Sequence, residues 1–262
     1  MGLFDKIFGK GGAAQAPTHN MVGTMPTTSG AAAVSTNASS MTIDMTKRTE
    51  KLETVLIDMS KSGKIDMTKH IARVAVVEDY TGSMTGMYRD GTVQEVTNRL
   101  LPIALKFDDN GEMESWIFAN SYRKLAPVTI DNHVDYVKNV IMRSGMNMGS
   151  TYYAPVLRDI VKFYKSGTSN IPAFVIFITD GDNFDEHETN AIVRELSNYN
   201  MFVQFVGIGN QSDFDYLREL DNLSGRKCDN TGFLLARDLV KMDDKQLYTE
   251  LLRQYNDWLN SK

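Results

Sequence analysis

Ala72-Arg73-Val74-Ala75-Val76-Val77-Glu78-Asp79-Tyr80-Thr81-Gly82-Ser83 sets a short apolar run directly against an oxygen-rich turn. A brief apolar run bounded by turn signals reads as a buried strand. A second run, Ala173-Phe174-Val175-Ile176-Phe177-Ile178, is apolar throughout, as a central strand covered on both faces should be. It too empties into an oxygen-rich turn, Thr179-Asp180-Gly181-Asp182. Around these two runs, strands and helices alternate. Val93, Val96, Leu100, Leu101 and Leu105 recur at helical spacing over 92–106. Strands at 114–118 and 122–128 flank the turn Ala119-Asn120-Ser121 and form a hairpin. Helices follow at 134–143 and 154–164, and beyond the central strand come a helix at 186–199, a strand at 201–206, a helix at 214–220, a strand at 232–235 and a closing helix at 245–259. The expected fold is therefore α/β and Rossmann-like, a mostly parallel central sheet with an antiparallel edge hairpin and helices on both faces. Ligands of such sheets sit beyond the carboxyl ends of the strands, where both turns lie.

The 262 residues suit one such domain with additional segments, and 42% hydrophobic residues provide for a sizeable core. A formal net charge of −5 and the lack of a long basic run argue against nucleic acid as a partner. The single cysteine, Cys228, rules out an internal disulfide and fits a reducing compartment. No apolar stretch reaches the roughly 20 residues that span a bilayer. The expected location is cytoplasmic, with a peripheral membrane association left open by the N-terminus. There Leu3, Phe4, Ile7 and Phe8 recur at helical spacing, so residues 1–10 form a short amphipathic segment suited to weak docking on a membrane or partner. Residues 11–40 are Gly, Ala, Ser, Thr, Asn and Pro with almost no large apolar side chains, and read as a disordered linker. Residues 41–70 form a helical extension, its helix at 46–62 carrying Leu52, Val55, Leu56 and Met59 on one face. The main domain occupies 71–262.

The chemistry gathers at the strand ends. Asp79, Thr81 and Ser83 place a carboxylate and two hydroxyls at alternate positions of one tight turn. Asp180 adds a second carboxylate, and Gly149-Ser150-Thr151 a further hydroxyl ahead of a helix. Few carboxylates, several hydroxyls and room for water describe a site for a small hard cation held octahedrally, Mg²⁺ first, with Mn²⁺ or Ca²⁺ able to substitute. Taken singly, Ser83 and Thr151 also fit helix caps, and Asp180 a turn. An alternative is a Mg²⁺-dependent phosphohydrolase on a similar sheet. That chemistry wants a second Asp two residues after the first, where Thr81 stands and cannot usefully shuttle a proton.

The series Asp79-Tyr80-Thr81-Gly82-Ser83-Met84, then Thr151, then Thr179-Asp180-Gly181, resembles the metal-ion-dependent adhesion site of von Willebrand factor A (vWA) domains. The resemblance implies metal ligands at Asp79, Thr81, Ser83, Thr151 and Asp180. It also implies a binding module, with no catalytic residues, that grips a protein partner through an Asp or Glu carboxylate on the metal. Two departures stand out. Thr81 replaces the usual Ser, which keeps the oxygen. Glu78 occupies a normally apolar position and leaves an extra carboxylate in the sheet or near the metal. Gly149-Ser150-Thr151-Tyr152-Tyr153-Ala154-Pro155, Val203-Gln204-Phe205-Val206-Gly207-Ile208-Gly209 and Asp229-Asn230-Thr231-Gly232-Phe233 are similar to the bacterial tellurium-resistance branch of the family. Membership would imply a tellurite- or stress-resistance system of a bacterium or phage.

Overall fold

A computed structural model describes residues 31–166, 170–181, 183–209 and 214–262, with side chains from Asp44 onward. The chain divides into two units, Met1–Ser40 and Met41–Lys262. The second contains a six-stranded sheet of order β3-β2-β1-β4-β5-β6. The strands are β1 (Arg73–Asp79), β2 (Met113–Phe118), β3 (Tyr122–Val128), β4 (Ala173–Thr179), β5 (Met201–Gly207) and β6 (Thr231–Leu235). β2 and β3 pair antiparallel at one edge, and all other pairings are parallel. The architecture is the expected one: a mostly parallel α/β sheet carrying one antiparallel hairpin.

The helices are α1 (Ala31–Ser62), α2 (Thr85–Arg89), α3 (Thr92–Phe107), α4 (Ala154–Lys165), α5 (Glu186–Leu196), α6 (Asp215–Asp221) and α7 (Asp244–Asn260). Strand side chains alternate faces, and the core divides accordingly. Val74, Val76, Phe174 and Ile176 pack with α3, α7 and the Met45–Leu56 part of α1. Ala75, Val77, Val175 and Phe177 pack with α4, α5 and α6. Both faces of β1 and β4 are thus covered, which is why their sequences read as continuous apolar runs.

Three local expectations differ from the structure. α1 begins at Ala31, so the last ten residues of the stretch read as a linker are helical. The stretch offers few apolar side chains to bury, but Ala31-Ala32-Ala33 favours helix through intrinsic propensity. The rest of that stretch and residues 1–10 lie outside the described residues. The helix expected over 134–143 is only a π-helical turn, Val137–Ile141. Asp135 has a φ of 57°, which no α-helix accommodates. The short α2, which periodicity is too brief to show, follows the first oxygen-rich turn directly. Among the described residues no helix is long and apolar enough to cross a membrane.

β1 is where the sheet switches direction: the chain passes from β1 to β2 on one side, then returns to β4 on the other. A crevice opens beyond the carboxyl ends of two strands whose connections diverge in this way. Asp79 and Thr179, the last residues of β1 and β4, lie at its floor.

Candidate metal centre

Asp79 is fully buried. Its Oδ1 accepts a hydrogen bond from the Thr81 amide at 2.8 Å, and its Oδ2 accepts from the Thr179 hydroxyl at 2.7 Å. Parallel pairing of Glu78 with Ile178 brings these two strand ends side by side. Ser83 donates to Asp180 Oδ1 at 2.9 Å, and the Thr81 and Ser83 hydroxyls are 3.1 Å apart. With the Ser83 proton directed at Asp180, Thr81 is the donor in that pair. Contacts therefore run Thr179–Asp79–Thr81–Ser83–Asp180 and close, because Asp180 follows Thr179 in the chain. Asp79, Thr81 and Asp180 are buried, while Ser83 reaches solvent. The ring has a floor and a mouth.

Thr151 is placed by backbone rather than by its hydroxyl. Thr81 and Gly149 form an isolated parallel bridge, with the Gly82 amide donating to the Gly149 carbonyl at 3.1 Å. On its other side, the Thr151 carbonyl accepts from the Phe184 amide at 3.0 Å. Its loop is thus tied to the first oxygen-rich turn and to the segment that follows the second. No hydrogen bond joins the Thr151 side chain to the other four residues among those described, so the structure links four of the five expected ligands directly and sets the fifth beside them.

Four supporting residues escaped sequence reasoning. Thr179 reads as the first residue of the oxygen-rich turn, with no role of its own, yet it orients Asp79. Tyr153 donates to Thr179 Oγ1 at 3.1 Å and also to the Gly181 carbonyl. Asn120, in the β2–β3 turn, accepts from the Ser150 amide at 2.8 Å. A Cβ at Gly149 would fall 1.7 Å from its Oδ1, so that close approach requires glycine. Asp185 immediately precedes α5, where an Asp ordinarily caps its own helix. Instead its carboxylate accepts from the Tyr153 and Ala154 amides at 3.0 and 2.8 Å, the N-terminus of α4. Neither Ser83 nor Thr151 acts as a helix cap: α2 has no side-chain cap, and Asp185 serves α4.

Burial pushes the Asp79 carboxyl up to about 7, against the hydrogen bonds from Thr81 and Thr179, and the charge of Asp180 pushes it further. Asp180 is raised as well, chiefly by burial and partly offset by Ser83. Among the described residues no lysine or arginine forms a salt bridge with either carboxylate. Two carboxylates without a salt-bridge partner among the described residues, joined by hydroxyls at a solvent-facing mouth, form a donor set that suits a hard cation. The described residues contain no group of three or more His, Cys, Asp and Glu side chains placed to hold a metal ion by themselves. At the strand ends the two carboxylates are accompanied instead by the hydroxyls of Thr81 and Ser83.

Glu78 is not part of this set. It lies on the opposite face of β1, 1% exposed, under α3. Its Oε1 accepts from Thr97 at 2.7 Å, and its Oε2 has no partner. Burial raises it to about 7, with the Thr97 bond opposing.

Strand topology, a crevice at the switch point and an Asp-Thr-Ser turn are those of an α/β domain of the vWA type. A family model described as "vWA found in TerF C terminus" matches residues 71–262, and the chain belongs to this vWA-TerF-like family. It is 37% identical over 221 residues to the uncharacterized protein YcbR of Bacillus subtilis (strain 168), across 83% of this chain and 86% of that one. Among solved structures, proximal thread matrix protein 1 from the mussel byssus, with a zinc-occupied MIDAS motif, aligns with a TM-score of 0.49 and 18% identity. That match covers 70% of this chain and 46% of the mussel protein, so the chain spans just under half its length. Manganese-loaded TRAP protein of Plasmodium vivax aligns with a TM-score of 0.48 and 14% identity, over 70% of this chain and 74% of that one.

Proposed function

We propose that Asp79, Thr81, Ser83, Thr151 and Asp180 hold a Mg²⁺ ion, and that this vWA domain uses it to grip a protein partner. The observation that carries the reading is the chain of hydrogen bonds that gathers the Asp79 and Asp180 carboxylates and the Thr81 and Ser83 hydroxyls at one strand edge, with no salt bridge to either carboxylate among the described residues. When bound, the cation supplies a strong contact for an Asp or Glu carboxylate of the partner. The chain's own residues do the rest. Thr179 and the Thr81 amide fix the Asp79 carboxylate, Tyr153 fixes Thr179, and Asn120 and Asp185 hold the Thr151 loop at the mouth. Mn²⁺ or Ca²⁺ would substitute, since an oxygen-only site discriminates poorly by ligand type. On this reading the domain is a binding module rather than an enzyme. It serves a cytoplasmic tellurite- or stress-resistance system of a bacterium or phage.

The test is a complex isolated from the native cell with Mg²⁺ present. It should dissolve in EDTA and weaken on Thr151→Ala, whose loop position makes binding more sensitive than folding. A complex indifferent to both treatments would place the interface elsewhere. Hydrolysis of a phosphate ester that disappears in Asp79→Asn would instead identify an enzyme.

A further inference from the structure

Two aromatic side chains adjoin the Thr151 loop and take no part in the oxygen ring. Phe184, four residues beyond Asp180, is 73% exposed, more than any other large apolar side chain among the described residues. A single exposed apolar residue needs no explanation, but this one is held in place. Its amide donates to the Thr151 carbonyl at 3.0 Å. Its ring lies against Tyr152, centroids 5.9 Å apart and tilted by 37°. Its two chain neighbours are bonded to each other, Asn183 donating to Asp185 at 2.6 Å, and Asp185 in turn accepts from the Ala154 amide of α4, so the segment is held against that helix. A fixed aromatic pair is thus presented to solvent within one residue of a proposed ligand.

A methionine also lies near the Asp180 turn. A Cβ built at Gly209 would meet Met87 Cε at 3.1 Å and Asp180 Cβ at 3.8 Å, which sets the Met87 thioether close to the carboxylate-bearing turn. Methionine is adaptable and tolerates varied apolar neighbours. An oxygen ring bordered by an aromatic shelf and a thioether suits a ligand of mixed character. A purely polar acidic segment would leave Phe184 and Tyr152 in water. One that carries an apolar side chain next to its carboxylate would cover them. Consecutive Cα atoms are about 3.8 Å apart, so a shelf adjoining Thr151 is reached from a position close to the acidic residue.

We propose that the partner segment is an Asp or Glu with a large apolar residue within two positions of it, the carboxylate at the oxygen ring and the apolar side chain on Tyr152 and Phe184. The inference rests on the metal-dependent reading above and adds the partner's local sequence to it.

A random-peptide library displayed on phage, selected on the full chain in Mg²⁺ and in EDTA, tests it. Wild type should enrich, in Mg²⁺ only, peptides with an acidic residue and an aromatic or aliphatic neighbour within two positions. Phe184→Ser should still enrich acidic residues but lose the apolar preference. A synthetic peptide of the wild-type consensus should bind Phe184→Ser about tenfold more weakly, the usual order for loss of a central aromatic contact. Unchanged melting and Mg²⁺ response of Phe184→Ser should show that fold and ring are intact, and Tyr152→Ala should give a parallel loss. Acidic enrichment with no apolar neighbour in wild type, or the same apolar preference in Phe184→Ser, would overturn the inference and leave the metal reading standing. No Mg²⁺-dependent enrichment would remove both.

Discussion

Asp79 and Glu78 are consecutive residues of β1, both buried and both pushed up to about 7, yet they lie in different chemical worlds. Asp79 opens onto a ring of oxygen donors that reaches solvent at Ser83. Glu78 turns into the core beneath α3, with one oxygen on Thr97 and the other unpaired. Strand geometry alone accounts for the split, because adjacent side chains emerge on opposite faces. Burial raises a carboxylate on either face. Only the company of further donors, together with a path to solvent, makes one of them a candidate ligand.

The comparison breaks most visibly through pH. Glu78 has a folded value of about 7 against an ordinary 4.5, a difference of about 3 kcal/mol between its two protonation states. Folding raises the value, so the folded chain holds this proton where the unfolded chain has released it. The stabilising contribution is complete below pH 4.5 and is lost as pH rises through 7. Glu78→Gln removes the dependence. Measured in EDTA by chemical denaturation from pH 4 to 8, the variant should gain on wild type as pH rises, by up to about 3 kcal/mol. A difference that stays flat with pH would show that Glu78 is not buried as described.

The supports of the site should have smaller effects. Asp185→Ala removes the carboxylate cap from α4 and should destabilise the domain by about 1–2 kcal/mol, the usual cost of a lost cap. It should also reduce Mg²⁺-dependent stabilisation, because Thr151 sits just before that helix, whereas a loss of stability with the Mg²⁺ response intact would separate the helix from the site. Gly149→Ala forces Asn120 away and costs the Ser150 bond, about 1 kcal/mol. Thermal melting should show a small loss of stability and a reduced response to Mg²⁺. An unaltered Mg²⁺ response would mean that Asn120 has no part in placing Thr151.

Much of this was legible in the sequence, and the exceptions share a cause. The apolar runs 72–77 and 173–178 revealed central strands because both of their faces are covered. Asp79, Thr81, Ser83 and Asp180 were visible because each lies within a few residues of such a strand end. Contacts between elements distant in sequence left no such trace. Asp185 carries the signature of a cap for α5 and serves α4, a choice made by tertiary packing. Asn120 read as an ordinary turn residue, and its role depends on Gly149, 29 positions later, having no side chain. Glu78 showed itself as a departure from pattern, but the face it occupies is settled only by the register of β1.

A calorimetric Mg²⁺ titration of wild type, Asp79→Ala and Glu78→Gln tests the central claim most directly. One-site binding by wild type and Glu78→Gln, with none by Asp79→Ala, is the expected result. Equal binding by Asp79→Ala, or loss of binding in Glu78→Gln alone, would contradict it.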